Sequence, residues 1–535
     1  MFRLNILAIF VGIGGGVGSW LFYTLIHVIF EISIKTPVEW LNENGFGIFS
    51  WIPFLFAPII GGLIVGFIGT KVPPDSKGHG IPNIIEAINL KGGKIDRSVP
   101  FVKLITASFT IGTGGSAGVE GPIAQIGAGI GSYVGQKLKL SPKELRVLVV
   151  AGVSAGISAI FNAPIGGVLF AVEVVKRRSS INTFAPLIIA SIIGALISHV
   201  LLGSDPSFSE FPPLEYKNPI WIPLYIFFGS LCGILSAVWI KTFFAIEKYL
   251  EIMFKTGRIP IWLRPGIGAL FVGIISLGMY FYFGDRWETF TIVGATHEPV
   301  ANIFRGNDFQ LPIKELILVL FLLFLIKLIA TCFTIGSGGS GGLFMPTLIM
   351  GVLWGAFFAL FASQFIELPP SHVELFALLG MAAFFAGTIR APFTAVIMAA
   401  EITGDYYLTL PLMFAVVFSM ITSSALEPDD LYIKKIHEKG LALGESFSEV
   451  MDSVRVRQAM TPIENITKVF TSNTAHEVIE QVRKSGHEGF PVFEADRFVG
   501  VITLTDLLKL GCDIVVEISV SEILYETKWV GLIWN

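Results

Sequence analysis

Apolar runs long enough to cross roughly 30 Å of hydrocarbon recur along most of the chain. They lie near 4–31, 52–70, 98–112, 122–136, 145–160, 181–202, 219–245, 262–284, 312–335, 343–365, 372–388 and 408–426. Several are shorter than the ~20 residues a straight helical span takes, and several are broken by glycine or proline. Interrupted backbone survives at membrane depth only where it is buried in protein or lines a wet cavity, so the pattern predicts a transport protein rather than a bundle of anchors. The first run opens like a signal peptide, Met1-Phe2-Arg3, but continues to Phe30 with no small-residue cleavage site, and reads as the first spanning helix. Beyond about residue 427 the pattern changes. Glu427-Pro428-Asp429-Asp430 opens a polar stretch, and 454–510 alternates like a soluble α/β module. That module is predicted to hold a helix near 474–485, strands at 489–493 and 498–503, and a helix at 505–510.

Composition sharpens this picture. Of the 535 residues 53% are hydrophobic and only 15% charged, against about 25% charged in soluble domains. That excludes a soluble enzyme. A net charge of -4 argues against nucleic acid as a partner. Cys232, Cys332 and Cys512 are too scattered for a disulfide framework or a zinc site. The eight histidines have no metal spacing, and no H-E-x-x-H is present, which excludes a metal site and a membrane metalloenzyme. Gly12-Ile13-Gly14-Gly15-Gly16-Val17-Gly18 has no strand before it and reads as close helix packing, not as a dinucleotide fingerprint.

The chain also matches itself. Residues Gly114 to Pro122 fall on Gly338 to Pro346 at an offset of 224, with glycines, a serine and the proline in register. Ala163-Pro164 with Glu173 falls on Ala391-Pro392 with Glu401 at an offset of 228. Two repeats, roughly 1–203 and 219–426, are expected. Gly/Pro-interrupted helices at corresponding places in two halves point to a transport site between them.

In Gly118-Val119-Glu120-Gly121-Pro122 and in Gly342-Leu343-Phe344-Met345-Pro346, glycines admit close approach of a ligand and proline suits the first turn of a helix. Each segment reads as a loop entering a helix N-terminus, where unpaired N–H groups and the dipole attract an anion. Gly78-His79-Gly80-Ile81-Pro82 has the same form. Glu120 is the candidate gate: an intramembrane carboxylate is costly and usually functional, and here it can take the anion's own place and release it on protonation. The other reading of Glu120 is a structural charge at a helix start.

These three motifs, in this order, resemble those of the CLC family of chloride channels and proton/chloride exchangers, as does Phe161-Asn162-Ala163-Pro164. The resemblance covers about 1–440. It implies an all-α polytopic membrane protein of two inverted-topology repeats built from tilted and broken helices. It also implies chloride as the bound ion, a bilayer as the surround, and a homodimer with one pore per subunit. Carried over by position, Glu120 is the external gate. His79, Gly80, Ile81, Gly121, Leu343, Phe344 and Tyr432 are the anion-binding set, Tyr432 and residue 79 as side-chain donors.

Three departures bear on mechanism. His79 replaces the family's serine, which is linked to chloride preference, so nitrate or fluoride is the minor alternative cargo. A solvent-facing His79 is the bland reading. Val119 replaces a basic residue and weakens steering of anions. The inner proton-relay glutamate of the exchangers falls on Val174, next to the acid Glu173. Valine cannot relay a proton, so passive, voltage-gated-type chloride conduction is expected, with proton-coupled exchange as the alternative. A CBS-regulated cation transporter is the remote one, since Glu120, Glu173 and Glu401 are too few and too separated for a cation cage.

After a linker at 441–453, residues 454–535 resemble a CBS module, with Gly500-Val501-Ile502-Thr503-Leu504-Thr505-Asp506 as its strand-to-helix signature. Thr503 and Asp506 are the expected contacts for an adenine nucleotide, a structural or dimerising role being the alternative. A second copy, opening at Val520-Ser521-Glu522-Ile523, is expected to be truncated or absent. No other cofactor is expected. A sensing module places both termini in the cytoplasm of a multi-pass plasma-membrane protein, in line with Lys434, Lys435 and Lys439 beside it and Lys176-Arg177-Arg178 on the same side.

Overall fold

The computed structural model describes residues 2–76, 78–177, 184–203, 219–286, 298–304, 311–369, 371–404, 406–439, 441, 466–485, 489–495, 497–503 and 520. Two compact units emerge, Met1–Ala442 and Leu443–Asn535.

The first unit is helical. In its first half the helices are α1 (Phe2–Phe30), α2 (Thr36–Glu43), α3 (Ile52–Gly69), α4 (Ile81–Leu90), α5 (Val99–Gly112), α6 (Glu120–Lys137), α7 (Pro142–Phe161), α8 (Pro164–Phe170) and α9 (Phe184–Leu202). There follow α10 (Ile222–Thr256), α11 (Arg264–Phe283), α12 (Glu298–Phe304), α13 (Ile313–Gly336), α14 (Phe344–Ala362), α15 (His372–Ile389), α16 (Pro392–Thr403), α17 (Thr409–Leu426) and α18 (Leu431–Glu438). Among the described residues, ten helical segments are long and apolar enough to cross a membrane, as a multi-pass membrane protein requires. Helix α6 falls short because Glu120, Gln125, Gln136 and Lys137 offset its apolar residues, yet most of it is buried, with α7 packed against it.

Local chemistry sets the boundaries. Ser141 and Glu144 form a capping box at the start of α7, with Pro142 in its first turn. Helices α7 and α15 both end in a left-handed residue, Asn162 (φ 52°) and Arg390 (φ 60°), and the Ala-Pro that follows each starts α8 and α16. These two helices are too short for a hydropathy window, which is why the apolar runs do not reveal them. In the opposite sense, the run expected to stop near 245 continues as helix to Thr256. Its last turns carry polar side chains that keep helical spacing, including the Glu251–Lys255 pair at 2.7 Å.

The two halves are related by a local two-fold axis that can be read from reciprocal contacts. Gly118 N–H donates to Gly342 O (2.8 Å) and Gly342 N–H to Gly118 O (2.7 Å). Ser116 N–H donates to Thr334 Oγ1 (3.0 Å), and Ser340 N–H to Thr110 Oγ1 (3.1 Å). Helices α6 and α7 touch backbone to backbone at Gly127 and Gly152, where a Cβ on either would overlap the other's carbonyl. Helices α14 and α15 do the same at Gly351 and Gly380. The core of the unit lies along these four helices.

In the second unit β1 (Val469–Phe470) pairs parallel with β2 (Gly489–Glu494), and β2 pairs antiparallel with β3 (Arg497–Thr503). Helix α19 (Ala475–Ser485) packs Val478, Ile479 and Val482 onto a core of Val469, Phe490, Val492 and Ile502. Val520, read above as the opening of a second copy, belongs to this same core, and its N–H donates to Asn473 O (3.0 Å).

Candidate functional site

The three glycine-proline turns meet at Gly121. A Cβ on Gly121 would overlap the carbonyl oxygen of His79 and come within 3.0 Å of the Gly342 Cα. A Cβ on Gly80 would lie 2.6 Å from Gly121 O. Gly80 (φ 86°) is the N-cap of α4, Val119 that of α6 and Leu343 that of α14. Three helix starts therefore share one point inside the membrane unit. The helix dipole contributes about 0.3–1 kcal/mol per start toward a nearby negative charge, more where water is excluded.

Glu120 fills that point. It is fully buried, and its Oε1 accepts a hydrogen bond of 2.6 Å from Phe344 N–H at the first turn of α14. Its Oε2 is buried without a partner. The carboxylate lies over Gly118 and Gly342, whose missing side chains make the room it occupies. Of the other expected donors, Ile81 N–H turns back to His79 O at 3.2 Å. Tyr432 is 1% exposed with its hydroxyl unpartnered, and it lies within electrostatic reach of Glu120. Asp430 fixes it by accepting from Tyr432 N–H (2.9 Å) and Ile433 N–H (3.0 Å), and Arg177 in turn holds Asp430 at 2.7 Å. Phe344 is enclosed by the rings of Phe161, Phe170 and Phe385, at 5.3, 5.7 and 4.7 Å between centroids.

Val174 is buried in a π-helical turn, Ala171–Lys176. Its neighbour Glu173 has a structural partner: it accepts from Phe393 N–H (3.2 Å), Thr394 N–H (2.8 Å) and Thr394 Oγ1 (2.7 Å) at the start of α16. Glu401 reciprocates at the start of α8, accepting from Ile165 N–H (2.9 Å) and Gly166 N–H (2.6 Å). Each acid thus caps the short helix of the other repeat.

Three further groups escape the motif reading. Lys103 and Lys327 are buried at equivalent places of α5 and α13, 224 apart. Lys103 Nζ donates to Gly78 O, and Lys327 lies within electrostatic reach of Glu120. The signal was present, since Lys-Leu-Ile before Phe-Thr-Ile-Gly recurs in both halves and extends the repeat backwards. Glu247, on the polar end of α10, stands with Oε1 3.9 Å from His79 Nε2 and Oε2 2.7 Å from Lys435 Nζ. Among the described residues no group of three His, Cys, Asp or Glu is placed to hold a metal. In the second unit Thr503 ends β3, while Asp506 lies outside the described residues.

Comparison with known proteins agrees with this architecture. Residues 61–424 match the voltage gated chloride channel family, and residues 456–512 match the CBS domain. The chloride channel protein CLC-e of Arabidopsis thaliana is 31% identical over 445 residues, covering 78% of this chain and 59% of that protein. This chain therefore spans under two thirds of that relative's length. The H(+)/Cl(-) exchange transporter ClcA of Vibrio parahaemolyticus is 28% identical over 449 residues, covering 82% of this chain and 90% of the relative. The crystal structure of a slow cyanobacterial Cl-/H+ antiporter superposes with a TM-score of 0.69 at 23% identity, over 82% of this chain and 98% of that one. By the family match across its membrane unit, this chain belongs to the voltage gated chloride channel (CLC) family of anion transporters.

Proposed function

We propose that this protein moves chloride through its membrane unit past a carboxylate gate, Glu120. The observation that carries this reading is the 2.6 Å bond from Phe344 N–H to Glu120 Oε1. A helix N-terminus built to solvate an anion is here occupied by the protein's own carboxylate. Protonation removes the charge that holds Glu120 there, and chloride then competes for the same amide with Tyr432 as a second donor. Replacing Glu120 with glutamine in liposome-reconstituted protein tests this directly: chloride efflux should lose its dependence on pH.

Two readings of the coupling have support. Val174 at the inner relay position favours passive conduction. Exchange is favoured by Glu247, a carboxylate beside the first turn, and by relatives named as proton-coupled exchangers. The working unit in our reading is a homodimer, as the resemblance to the family implies. We place both termini in the cytoplasm of a plasma-membrane protein, and assign the second unit an adenine nucleotide near Thr503. Anion preference with His79 in the first turn is read as chloride, with nitrate and fluoride as competitors in the same flux assay.

A further inference from the structure

Trp239, Phe243 and Glu247 follow one another at four-residue spacing on one face of α10. The Phe243 ring meets the His79 ring edge-on at 5.4 Å, which presents His79 Nε2 to Glu247 Oε1 at 3.9 Å. Both residues line an open cavity of about 520 Å³, together with Gly78, Gly80, Lys435 and Lys439. Glu247 also lines a neighbouring cavity of about 590 Å³. His79 is only 6% exposed, and its Nδ1 is buried with no partner. On its far side the His79 backbone lies against Gly121, the residue after Glu120. The burial of the ring and of Nδ1 argues against a histidine that merely faces solvent.

We propose that Glu247 and His79 are an inner proton-accepting pair that serves in place of the relay acid which Val174 cannot be. This rests on Glu120 being the gate. A proton from water in the cavity is taken up at a Glu247 oxygen and passed to His79 Nε2, across a gap that one water or one side-chain rotation closes. The imidazolium then gives up the proton on Nδ1, through water, to the Glu120 carboxylate beyond Gly121, and the neutral ring resets by changing tautomer. One proton enters and one leaves, with no other bond made or broken. The charged groups around the pair are Lys435, which holds Glu247 at 2.7 Å, and Lys103 and Lys439, which also face His79. Glu438 and Glu251 face Glu247. Lys439 is itself paired with Glu86 at 3.2 Å.

The test is proton movement measured alongside chloride efflux from liposomes holding the full-length protein. Wild type should move protons against a chloride gradient, and its reversal potential should shift with an imposed proton gradient. Glu247→Gln should cut proton movement at least tenfold while chloride still flows, and Glu247→Asp should restore part of it. His79→Gln keeps a donor but cannot pass a proton between two ring nitrogens. Whatever it does to chloride flux, it should cut the protons moved per chloride at least tenfold, and it carries the test should Glu247→Gln not reconstitute. Full proton coupling in either variant overturns the proposal, as does a wild type that moves chloride without protons. In that last case the gate reading stands. A wild type that moves no chloride removes both.

Discussion

Substitution of Glu120 by glutamine tests the competition between carboxylate and anion most directly. The side chain keeps its shape, so the fold is expected to persist, while the acceptor at Phe344 N–H loses its charge. A hydrogen bond to a charged group contributes about 1.5–3 kcal/mol and a neutral one about 0.5–1.5. Full burial of Glu120 leaves that difference of about 1–2 kcal/mol unscreened by solvent. At about 1.4 kcal/mol per factor of ten, chloride should win the site at roughly 5- to 30-fold lower concentration. The amide also cannot titrate in the working range, so a flux that rises on acidification in wild type should be flat in the variant. Both effects are read from chloride efflux at a series of pH values and chloride concentrations. An unchanged pH slope together with an unchanged half-saturating chloride concentration would refute the idea that this carboxylate occupies the anion's place.

Other consequences follow from the same contacts. Tyr432→Phe removes a buried donor that no protein group uses, so chloride affinity measured by calorimetry should fall by about 3- to 10-fold for a bond of about 1 kcal/mol. Gly121→Ala drives a methyl group into the His79 carbonyl and toward Gly342. Overpacking of this kind costs about 1–3 kcal/mol and should lower the thermal midpoint and chloride flux together. Glu173→Gln or Glu401→Gln weakens two backbone caps, a loss of about 1–2 kcal/mol each, which should appear in unfolding while Glu120's pH response survives. In the second unit, Asn473 and then Thr474 hydrogen-bond the Glu477 carboxylate and hold it below its ordinary value of 4.5. The stability it adds is fully present above pH 4.5 and is lost as the pH falls through the lower folded value. The protection of the Ala475–Ser485 amides in the full-length protein, measured against the intrinsic exchange rate at each pH, should therefore fall in acid, and Glu477→Gln should abolish that dependence.

How much of this was legible beforehand varies by residue, for physical reasons. The spans were readable because lipid demands long apolar runs, and the repeats because two helix starts need the same glycines and proline at the same spacing. Glu120 could be picked out because a carboxylate in an apolar surround has no cheap structural excuse. Helices α8 and α16 were not visible, since 7 and 12 residues fall below any hydropathy window; only the Ala-Pro repeat marked them. Glu173 could be named but its partner could not. That it caps a helix 220 residues away depends on how the halves fold together. Glu247 was missed for another reason: it sits where α10 turns polar, and local composition there looks like a helix leaving the membrane. Only the tertiary fold brings it beside the first glycine turn.

The two-fold relation bears on why the proposed gate is a single residue. At the offset of 224, Glu120 is the counterpart of Phe344, and these two residues meet across the axis. Around them the repeats are nearly equivalent: Gly118 and Gly342 exchange backbone bonds, Thr110 and Thr334 exchange hydroxyl acceptors, and Lys103 and Lys327 occupy matching buried places. Symmetry supplies two facing helix starts, hence a site that favours negative charge from both sides. Function requires that the symmetry be broken where they touch. Glutamate in both repeats would set two carboxylates against each other at one point, a like-charge pair in which ionisation of one opposes the other. Phenylalanine in both would leave the amides to the anion with nothing to displace it. With acid in one repeat and phenyl in the other, a single titratable carboxylate faces these amides, and in the proposed gating one proton decides whether protein or chloride holds them.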